Sequence, residues 1–311
     1  MVDRVIAVKA ETAYGTDSGP TLAANAILTR NYQSTPLEVD QIDRNLDSAK
    51  RGAQRQKPSN ARHRSSYEVE LAGSGAAGTA PRWMDSVLRA CGMRAPQLTA
   101  GQNAVQRFAQ VGDPLGSLTE WGWTDDHLRK SVGKRGSFGL NFTAGQIPFL
   151  NTQMIGLLPT AAPRSTALPG VADFSSFVEP LEVNNENSLF MLDGFGAVTR
   201  SLVIESGLNV NLRSLVGARY IKSGNHQATA TLKIEAPSVA AKDYIAKLQT
   251  GDLVAWNFVH GKTAGNIVEA GATKAQITQI GESEEDDVLM FDISLLLTVD
   301  GGADDLVLTA K

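Results

Sequence analysis

The sequence has few features that indicate catalytic activity or a membrane-spanning segment. It contains a single cysteine, Cys91, which excludes an internal disulfide and a thiolate metal cluster. Aromatic residues make up 6% of the 311 residues, and no stretch approaches the roughly 20 apolar residues that cross a bilayer as a helix. The first residues lack the apolar segment of a signal peptide. We therefore expect a chain made in a cytoplasm, with no membrane contact and with Cys91 as a small buried residue.

A catalytic or metal-binding pattern is also missing. The four histidines, His63, His127, His226 and His260, have no metal-ligand spacing, and three stand in polar, loop-like runs where a solvated imidazole is expected. The acidic run from Gly281 to Asp287 offers carboxylates to Ca²⁺, but it lacks the glycine and the ligand spacing of an EF-hand loop. The sequence predicts a solvated hairpin tip there, and we expect neither an enzyme nor a cofactor.

Two glycine-containing stretches imitate nucleotide-binding motifs. Residues 73–78, GSGAAG, satisfy GxGxxG, but the preceding strand carries Glu68 and Glu70 on one face and is therefore not buried on both sides. The triplet Gly261-Lys262-Thr263 resembles the end of a phosphate loop, yet Trp256 stands where the first glycine belongs. We interpret the first stretch as a turn of small residues and reject the second motif.

What is present is a strand, turn and helix plan that occurs twice. In the first copy Tyr67, Val69 and Leu71 alternate with acidic residues, and a helix is predicted from Pro81 to Gly92. In the second copy Ala230, Leu232 and Ile234 alternate with polar residues, and the predicted helix begins after a cap at Ser238 and ends at Gly251. The repetition predicts two structural units of one design.

The remaining pattern is mostly strand. We expect a mainly β protein with some α structure (α+β), built from two tandem β-sandwich or barrel-like units with one short helix each. The predicted boundaries are residues 1–158 for the first unit, a Pro, Ala and Ser-rich linker at 159–176, and residues 177–311 for the second.

Charge is distributed unevenly between the halves. Residues 1–150 contain 18 Lys and Arg against 14 Asp and Glu, whereas residues 151–311 contain 11 against 19. Seven of the basic residues lie in the run 44–64, which has almost no apolar residues and is predicted to be a long loop. Such a loop contacts nucleic acid or a protein partner; without interleaved aromatic residues we favour the protein.

Three segments carry a resemblance to a known family. They are SYEVELAGSGAAGTAPRWMDSVLRACGM, KRGSFGLNFTAGQIPFL and ATLKIEAPSVAAKDYIAKLQTGDLVAWNFVHGKTAGNIVEAGATKAQI. The sequence over residues 65–298 resembles the tail tube (major tail) proteins of bacteriophages with long, non-contractile tails. The resemblance implies a structural protein of the virion tail, assembled in the host cytoplasm as stacked rings around a shared β-barrel. Double-stranded DNA and a tape measure protein would pass through it, and tail terminator and distal tail proteins would bind its ends.

Family members with one unit form hexameric rings, so two units per chain imply a ring of three chains with pseudo-six-fold symmetry. Closure of the sheet in a ring also removes open strand edges, which are a liability in a monomer. The polar strand faces would then line the channel, and their small neutral or acidic side chains offer few contacts to phosphates. The candidate channel residues are Glu68, Glu70, Ser137, Asn141, Asn209, Asn211, Thr229, Thr231, Gln276, Thr278, Asp292 and Ser294.

Contacts between stacked rings are predicted to join the basic loop to the acidic turn. The basic candidates are Arg44, Lys50, Arg51, Arg55, Lys57, Arg62 and Arg64, and the acidic candidates are Glu282, Glu284, Glu285, Asp286 and Asp287. Two alternatives to a tail tube stay open at this level: a baseplate, distal tail or secretion-tube component, and a β-sandwich adhesin. An enzyme would need a convergent polar site that the sequence does not display.

Overall fold

A computed structural model of the chain describes residues 3–47 and 51–311, and these residues fold mainly as antiparallel strands. The strands of the first half are β1 (Arg4–Ala10), β2 (Ala26–Ile27), β3 (Arg30–Ile42), β4 (Lys57–Glu70), β5 (Gln97–Thr99), β6 (Asn103–Arg107), β7 (Leu118–Thr124), β8 (His127–Thr143), β9 (Phe149–Leu157) and β10 (Arg164–Thr166). Those of the second half are β11 (Ser188–Leu192), β12 (Phe195–Gly196), β13 (Thr199–Glu205), β14 (Val210–Leu215), β15 (Ala218–Ser223), β16 (Thr229–Glu235), β17 (Leu253–His260), β18 (Val268–Glu285), β19 (Val288–Leu297) and β20 (Val307–Ala310). The mainly β prediction is confirmed.

The central sheet repeats one pairing order. In the first half the strands are ordered β3-β4-β9-β8, and in the second half they are ordered β13-β16-β19-β18. The two sets join because β13 pairs antiparallel with β8. One apolar core beneath the sheet contains residues of both halves, from Ile6 to Ala310. The predicted unit boundaries therefore remain a prediction, because the halves share a sheet and a core.

Further strands fold the ends of the central sheet around this core. The first part of β8 pairs with β7 and β10, and β7 continues through β1 to β2. The first part of β18 pairs with β17 on one side and β20 on the other, and β20 continues to β6. Strands β14 and β15 form a separate two-stranded sheet. The predicted linker is attached to the rest of the protein, because β10 pairs with β8 and Phe174 packs against a small apolar cluster.

The predicted helices are present, with altered boundaries. A π-helix, Trp83–Leu88, lies within the first predicted helix and buries Trp83, Val87 and Leu88. Helix α2 (Tyr244–Thr250) is capped by the Asp243 side chain, which accepts from the Ala246 amide at 2.9 Å. The predicted cap at Ser238 was wrong, because that side chain caps a preceding turn instead. A four-residue helix, α1 (Leu22–Asn25), was not anticipated.

Two polar segments contain more strand than the sequence predicted: the basic run, predicted as a loop, and the acidic run, predicted as a hairpin tip. Residues 57–64 of the basic run belong to β4, and β3 and β4 form a hairpin that extends beyond the rest of the sheet. The acidic run is also largely strand, because β18 continues to Glu285 and turns into β19 through Asp286 and Asp287. Both turn residues have positive φ, 51° and 63°, as a two-residue hairpin turn requires. The amino-acid composition of these segments did not predict strands, because the residues that stabilise them lie on neighbouring strands.

Candidate functional site

The polar side of the central sheet is the largest surface that the predicted residues define. Two cross-strand rows run from β4 to β18 on this face, because residues directly opposite each other in a sheet point the same way. The first row is Glu68, Asn151, Gly139, Glu205, Thr229, Leu296 and Gln276. The second is Glu70, Phe149, Asn141, Val203, Thr231, Ser294 and Gln279.

Ten of the twelve candidate channel residues thus share one face. Ser137 and Asp292 lie in the flanking rows, opposite Gln153 and Lys233. Thr278 occupies a bulge of β18 and donates to the Ser294 carbonyl at 3.1 Å. Asn209 and Asn211 are placed elsewhere: Asn211 lies on β14, in the separate two-stranded sheet, and Asn209 immediately precedes it. The alternation of polar residues predicted this face. It did not predict that the chain leaves the central sheet after Glu205 and forms the separate sheet of β14 and β15.

This face is predominantly acidic, with neutral residues between the charges. Arg30, which the sequence did not single out, donates to Glu68 at 2.6 Å and lies over the Phe149 ring. Glu205 was also missed, and burial raises the pKa of its carboxyl above the ordinary value. Gly139 leaves the space that this carboxylate needs, since a Cβ there would lie 2.7 Å from Glu205 Oε1.

The basic run forms a hairpin arm, which we define as residues 35–62. Within the arm Arg62 contacts both Glu38 and Asp40, the latter at 2.9 Å, and Arg64 at its base contacts Glu38 as well. The hydrogen bond from Arg62, opposed only by slight burial, lowers the pKa of Glu38. Arg62 and Arg64 are therefore engaged within the chain, and the prediction of a loop there was wrong. Lys57 begins β4, and Arg44, Arg51 and Arg55 are exposed near the tip; Lys50 lies outside the described residues.

The acidic run is likewise partly engaged. Glu285 accepts from Arg200 and Lys233, both at 2.8 Å, and the bond from Lys233 is the main cause of its lowered pKa. Glu282, Glu284, Asp286 and Asp287 are exposed. The carboxylates available to another molecule are therefore those four.

Two long strand edges remain open among the residues that the structure describes. Strand β3 pairs with β4 on one side, and no described strand pairs with its other side. From Ile277 to Glu285, β18 pairs with β19 only. Open edges of this length present unpaired backbone donors and acceptors and pair readily with another chain. They lie at opposite ends of the repeated strand order.

The first of the two glycine stretches that imitate nucleotide motifs packs against the residues that follow the second. The Gly75 amide donates to the Gly265 carbonyl at 2.9 Å, and the Gly73 amide donates to Asn266 Oδ1 at 3.0 Å. A Cβ on Gly73 would lie 1.9 Å from the Gly265 oxygen. Backbone contact between two loops thus explains the small residues. Within residues 3–47 and 51–311, no three His, Cys, Asp or Glu side chains are grouped to hold a metal ion.

A buried polar cluster was invisible in the sequence. Lys134 and Glu120 are both almost fully buried and pair at 2.6 Å, with Ser65 and the Tyr32 hydroxyl also donating to Glu120. Burial opposes both charges and lowers the pKa of Lys134, but the ammonium holds the pKa of Glu120 below its ordinary value. Nearby, burial lowers the pKa of His63 to about 3. The expectation of a solvated His63 was wrong.

A continuous antiparallel sheet with one polar face and two open edges is the arrangement of a subunit that assembles with others. The family model for phage tail tube proteins matches residues 2–303 of the chain. The chain therefore belongs to the phage tail tube protein family and is a structural, self-assembling component of a phage tail. No curated protein shows significant similarity to it. None of the described helices is long and apolar enough to cross a membrane.

Proposed function

We propose that three chains form one ring of the tail tube, with each chain supplying two equivalent units. The observation that carries this proposal is the repeated order β3-β4-β9-β8 and β13-β16-β19-β18, joined within the chain at β8 and β13. Because the sheet of one chain ends in open edges, three copies joined end to end close it into a barrel of six units. No cofactor is needed for this function.

The number of chains per ring is measured directly. Mass determination of isolated rings, or rotational averaging of end-on particles, distinguishes three chains from six. Three chains with six similar features support the duplication. Six chains per ring contradict it, even if tubes form normally.

The polar face of the central sheet is proposed to line the channel, which guides the tape measure protein and then double-stranded DNA in a long, non-contractile tail. The rows through Glu68 and Glu70 support this assignment. Acidic side chains repel the phosphates of DNA, and small neutral side chains bind them weakly. Assembly in the host cytoplasm, with terminator and distal tail proteins at the two ends, completes the proposal.

Charge reversal tests the channel assignment. Replacement of Glu68→Lys and Glu70→Lys adds up to six cations per channel ring of three chains, so particles should assemble but eject DNA slowly. Glu182→Lys with Glu186→Lys is the matched control, since both carboxylates are exposed in the connection between the halves. Normal ejection by the Glu68 and Glu70 variant, measured as DNA release in vitro, contradicts the assignment.

The hairpin arm is proposed to contact the next ring in the stack. It extends past the paired part of the sheet and carries exposed Arg44, Arg51 and Arg55 near its tip. The exposed carboxylates Glu284, Asp286 and Asp287 of an adjacent ring are the proposed partners. Individual exposed ion pairs contribute only about 0–1 kcal/mol, so the contact depends on repetition around the ring.

Salt dependence tests the stacking contact. Tube growth followed by light scattering should weaken between 0.1 M and 1 M salt, where the Debye length falls from about 10 Å to about 3 Å. The variant Arg44→Ser, Arg51→Ser, Arg55→Ser should grow poorly at low salt. The control changes three exposed cations of the β14 and β15 hairpin: Arg213→Ser, Arg219→Ser, Lys222→Ser. If tubes of both variants grow equally well, the proposal that the arm holds stacked rings together by electrostatic attraction is wrong.

A further inference from the structure

The junction between the two halves shows how two units pair in this protein. Strands β8 and β13 run antiparallel with Thr143 opposite Ser201 and Gly139 opposite Glu205. The junction continues beyond these pairs, since the Ala144 amide donates to the Arg200 carbonyl and the Ser206 amide donates to the Phe138 carbonyl, both at 2.9 Å. This internal seam is a complete interface between neighbouring units.

The repeated order allows each open edge to be matched to a strand of this seam. Val69, Leu150 and Leu140 form one cross-strand row, and Leu232, Ile293 and Ile280 form the corresponding row of the second half. These rows place β18 in the role of β8, with Ile280 in the position of Leu140.

The same comparison places β3 in the role of β13. Arg30 is opposite Glu68, which precedes Val69, and Val203 is opposite Thr231, which precedes Leu232. Arg30 therefore corresponds to Val203. On the other edge Gly281, one residue after Ile280, corresponds to Asn141, which is the residue opposite Val203 in the internal seam.

We infer that β3 of one chain pairs antiparallel with β18 of the next chain in the ring, with Arg30 opposite Gly281 and Leu28 opposite Ser283. The inference rests on the proposed ring and gives it a register. The inferred pairing covers residues 28–30 and 281–283, and it stops at the irregularities that β3 has between Arg30 and Gln33 and that β18 has between Ile277 and Gln279. It gives partners to both open edges.

A cavity at the open edge of β3 lies where this register places β18 of the neighbouring chain. The cavity has a volume of about 400 Å³ and is lined mainly by apolar side chains, among them Leu28, Trp83 and Phe177. Leu28 is 47% exposed although it stands beside the core. In the internal seam the corresponding place is filled by Phe142, whose ring packs 4.5 Å from that of Phe258.

In the pairing between chains, Glu282 takes the place of Phe142 and approaches the same cavity. Arg82 lines this cavity, where its guanidinium lies over the Phe177 ring and Nη1 donates to the carbonyls of Ala26 and Asp173. No described carboxylate forms an ion pair with this guanidinium, although Glu70 and Glu179 also line the cavity and Arg82 adds to the Ser175 hydrogen bonds that lower the pKa of Asp173. A glutamate from the neighbour thus meets a partly buried cation, which makes the outer seam charge-paired where the internal seam is apolar.

Cysteine cross-linking tests the register. The amide bonds of Ala144 and Ser206 fix the alternation of the internal seam, so Thr143 and Ser201 form a non-hydrogen-bonded pair, in which Cα atoms lie about 4.5 Å apart. That separation suits a disulfide. The variant Leu28→Cys, Ser283→Cys should therefore cross-link between chains on oxidation. The native Cys91 is buried and does not compete.

Two controls accompany this variant. Thr143→Cys with Ser201→Cys should form the equivalent disulfide within one chain. Leu28→Cys with Glu282→Cys shifts the pairing by one residue, puts the thiols on opposite faces and should not cross-link.

The result is read on a non-reducing gel after tube formation has been checked by electron microscopy. Covalent trimers from Leu28→Cys, Ser283→Cys support the register, and a ladder to hexamers supports the register while overturning the ring of three. Normal tubes without cross-links overturn the register alone. An absence of tubes from the parent chain would instead overturn the proposed function.

Charge exchange provides a second measurement. Glu282→Lys should lower the yield of rings at least several-fold, whereas Glu186→Lys, the same change at an exposed site away from the seam, should not. Addition of Arg82→Glu to Glu282→Lys should restore rings. Unchanged ring formation by Glu282→Lys removes the contact with Arg82.

Discussion

The two halves of the central sheet share a strand order but differ in what they bury. Where β7 meets β8, the first half encloses the ion pair of Lys134 and Glu120 together with Ser65. At the corresponding junction of β17 and β18, Val254 lies opposite Ala275, and both are fully buried and apolar. The comparison teaches that the pairing order, and not a particular kind of core, is what the repeat preserves. Charged groups in one copy make that half sensitive to changes that the other tolerates.

The largest expected effect is loss of the buried ion pair. Lys134→Met leaves Glu120 charged and without its cation in the core, which should reduce the free energy of unfolding by about 3–5 kcal/mol. The control Lys274→Met removes an exposed pair with Asp300 and should cost no more than about 1 kcal/mol. Urea denaturation of the unassembled chain measures both. Similar losses for the two variants would show that the cluster does not stabilise the first half.

The same comparison shows what the sequence can and cannot reveal. Alternation predicted most strands and the polar face because it depends on neighbouring residues, such as Val69 between Glu68 and Glu70. It failed for the arm, whose stability depends on Arg62 meeting Glu38 across 24 positions. It also gave no sign that Lys134 and Glu120 are buried together, since each looks like an ordinary strand residue. Predictions from periodicity fail where the deciding partner is remote in sequence.

A smaller effect concerns pH. Burial, reinforced by Lys134, lowers the pKa of His63 to about 3, so the folded state keeps this ring neutral while the unfolded state binds a proton below about 6.5. The stability from neutral His63 is therefore present above pH 6.5 and lost as pH falls. From pH 7 to pH 5 this group should reduce the free energy of unfolding by about 1–2 kcal/mol.

Substitution of histidines in both halves separates their contributions. His63→Gln should flatten the dependence on pH more than His260→Gln, because the Leu181 carbonyl partly offsets the effect of burial on the pKa of His260. Urea midpoints between pH 5 and pH 7 provide the measurement. If stability depends more steeply on pH in His63→Gln than in the parent, then neutral His63 does not stabilise the folded state as described.

The helices of the two halves differ in how they begin. No side chain caps the π-helix, whereas Asp243 caps α2 and Gly251 ends it at a φ of 70°. Asp243→Ala should reduce the free energy of unfolding by about 1 kcal/mol. Ser238→Ala, at the turn before the helix, should have less than half that effect. Equal losses would mean that the turn and not the cap stabilises this segment.

The smallest effect on global stability is expected in the hairpin arm. Glu38 accepts from Arg62 and Arg64, but the arm lies beyond the core and its ion pairs are only partly buried. Glu38→Gln should therefore change the global free energy of unfolding by less than about 0.5 kcal/mol, while hydrogen exchange of arm amides in β3 and β4 becomes faster. Glu269→Gln is a matched control, because it removes a carboxylate that pairs with Lys311 far from the arm. If exchange accelerates throughout the central sheet, the arm is coupled to the core; if only the arm responds, it is an element that opens independently of the core.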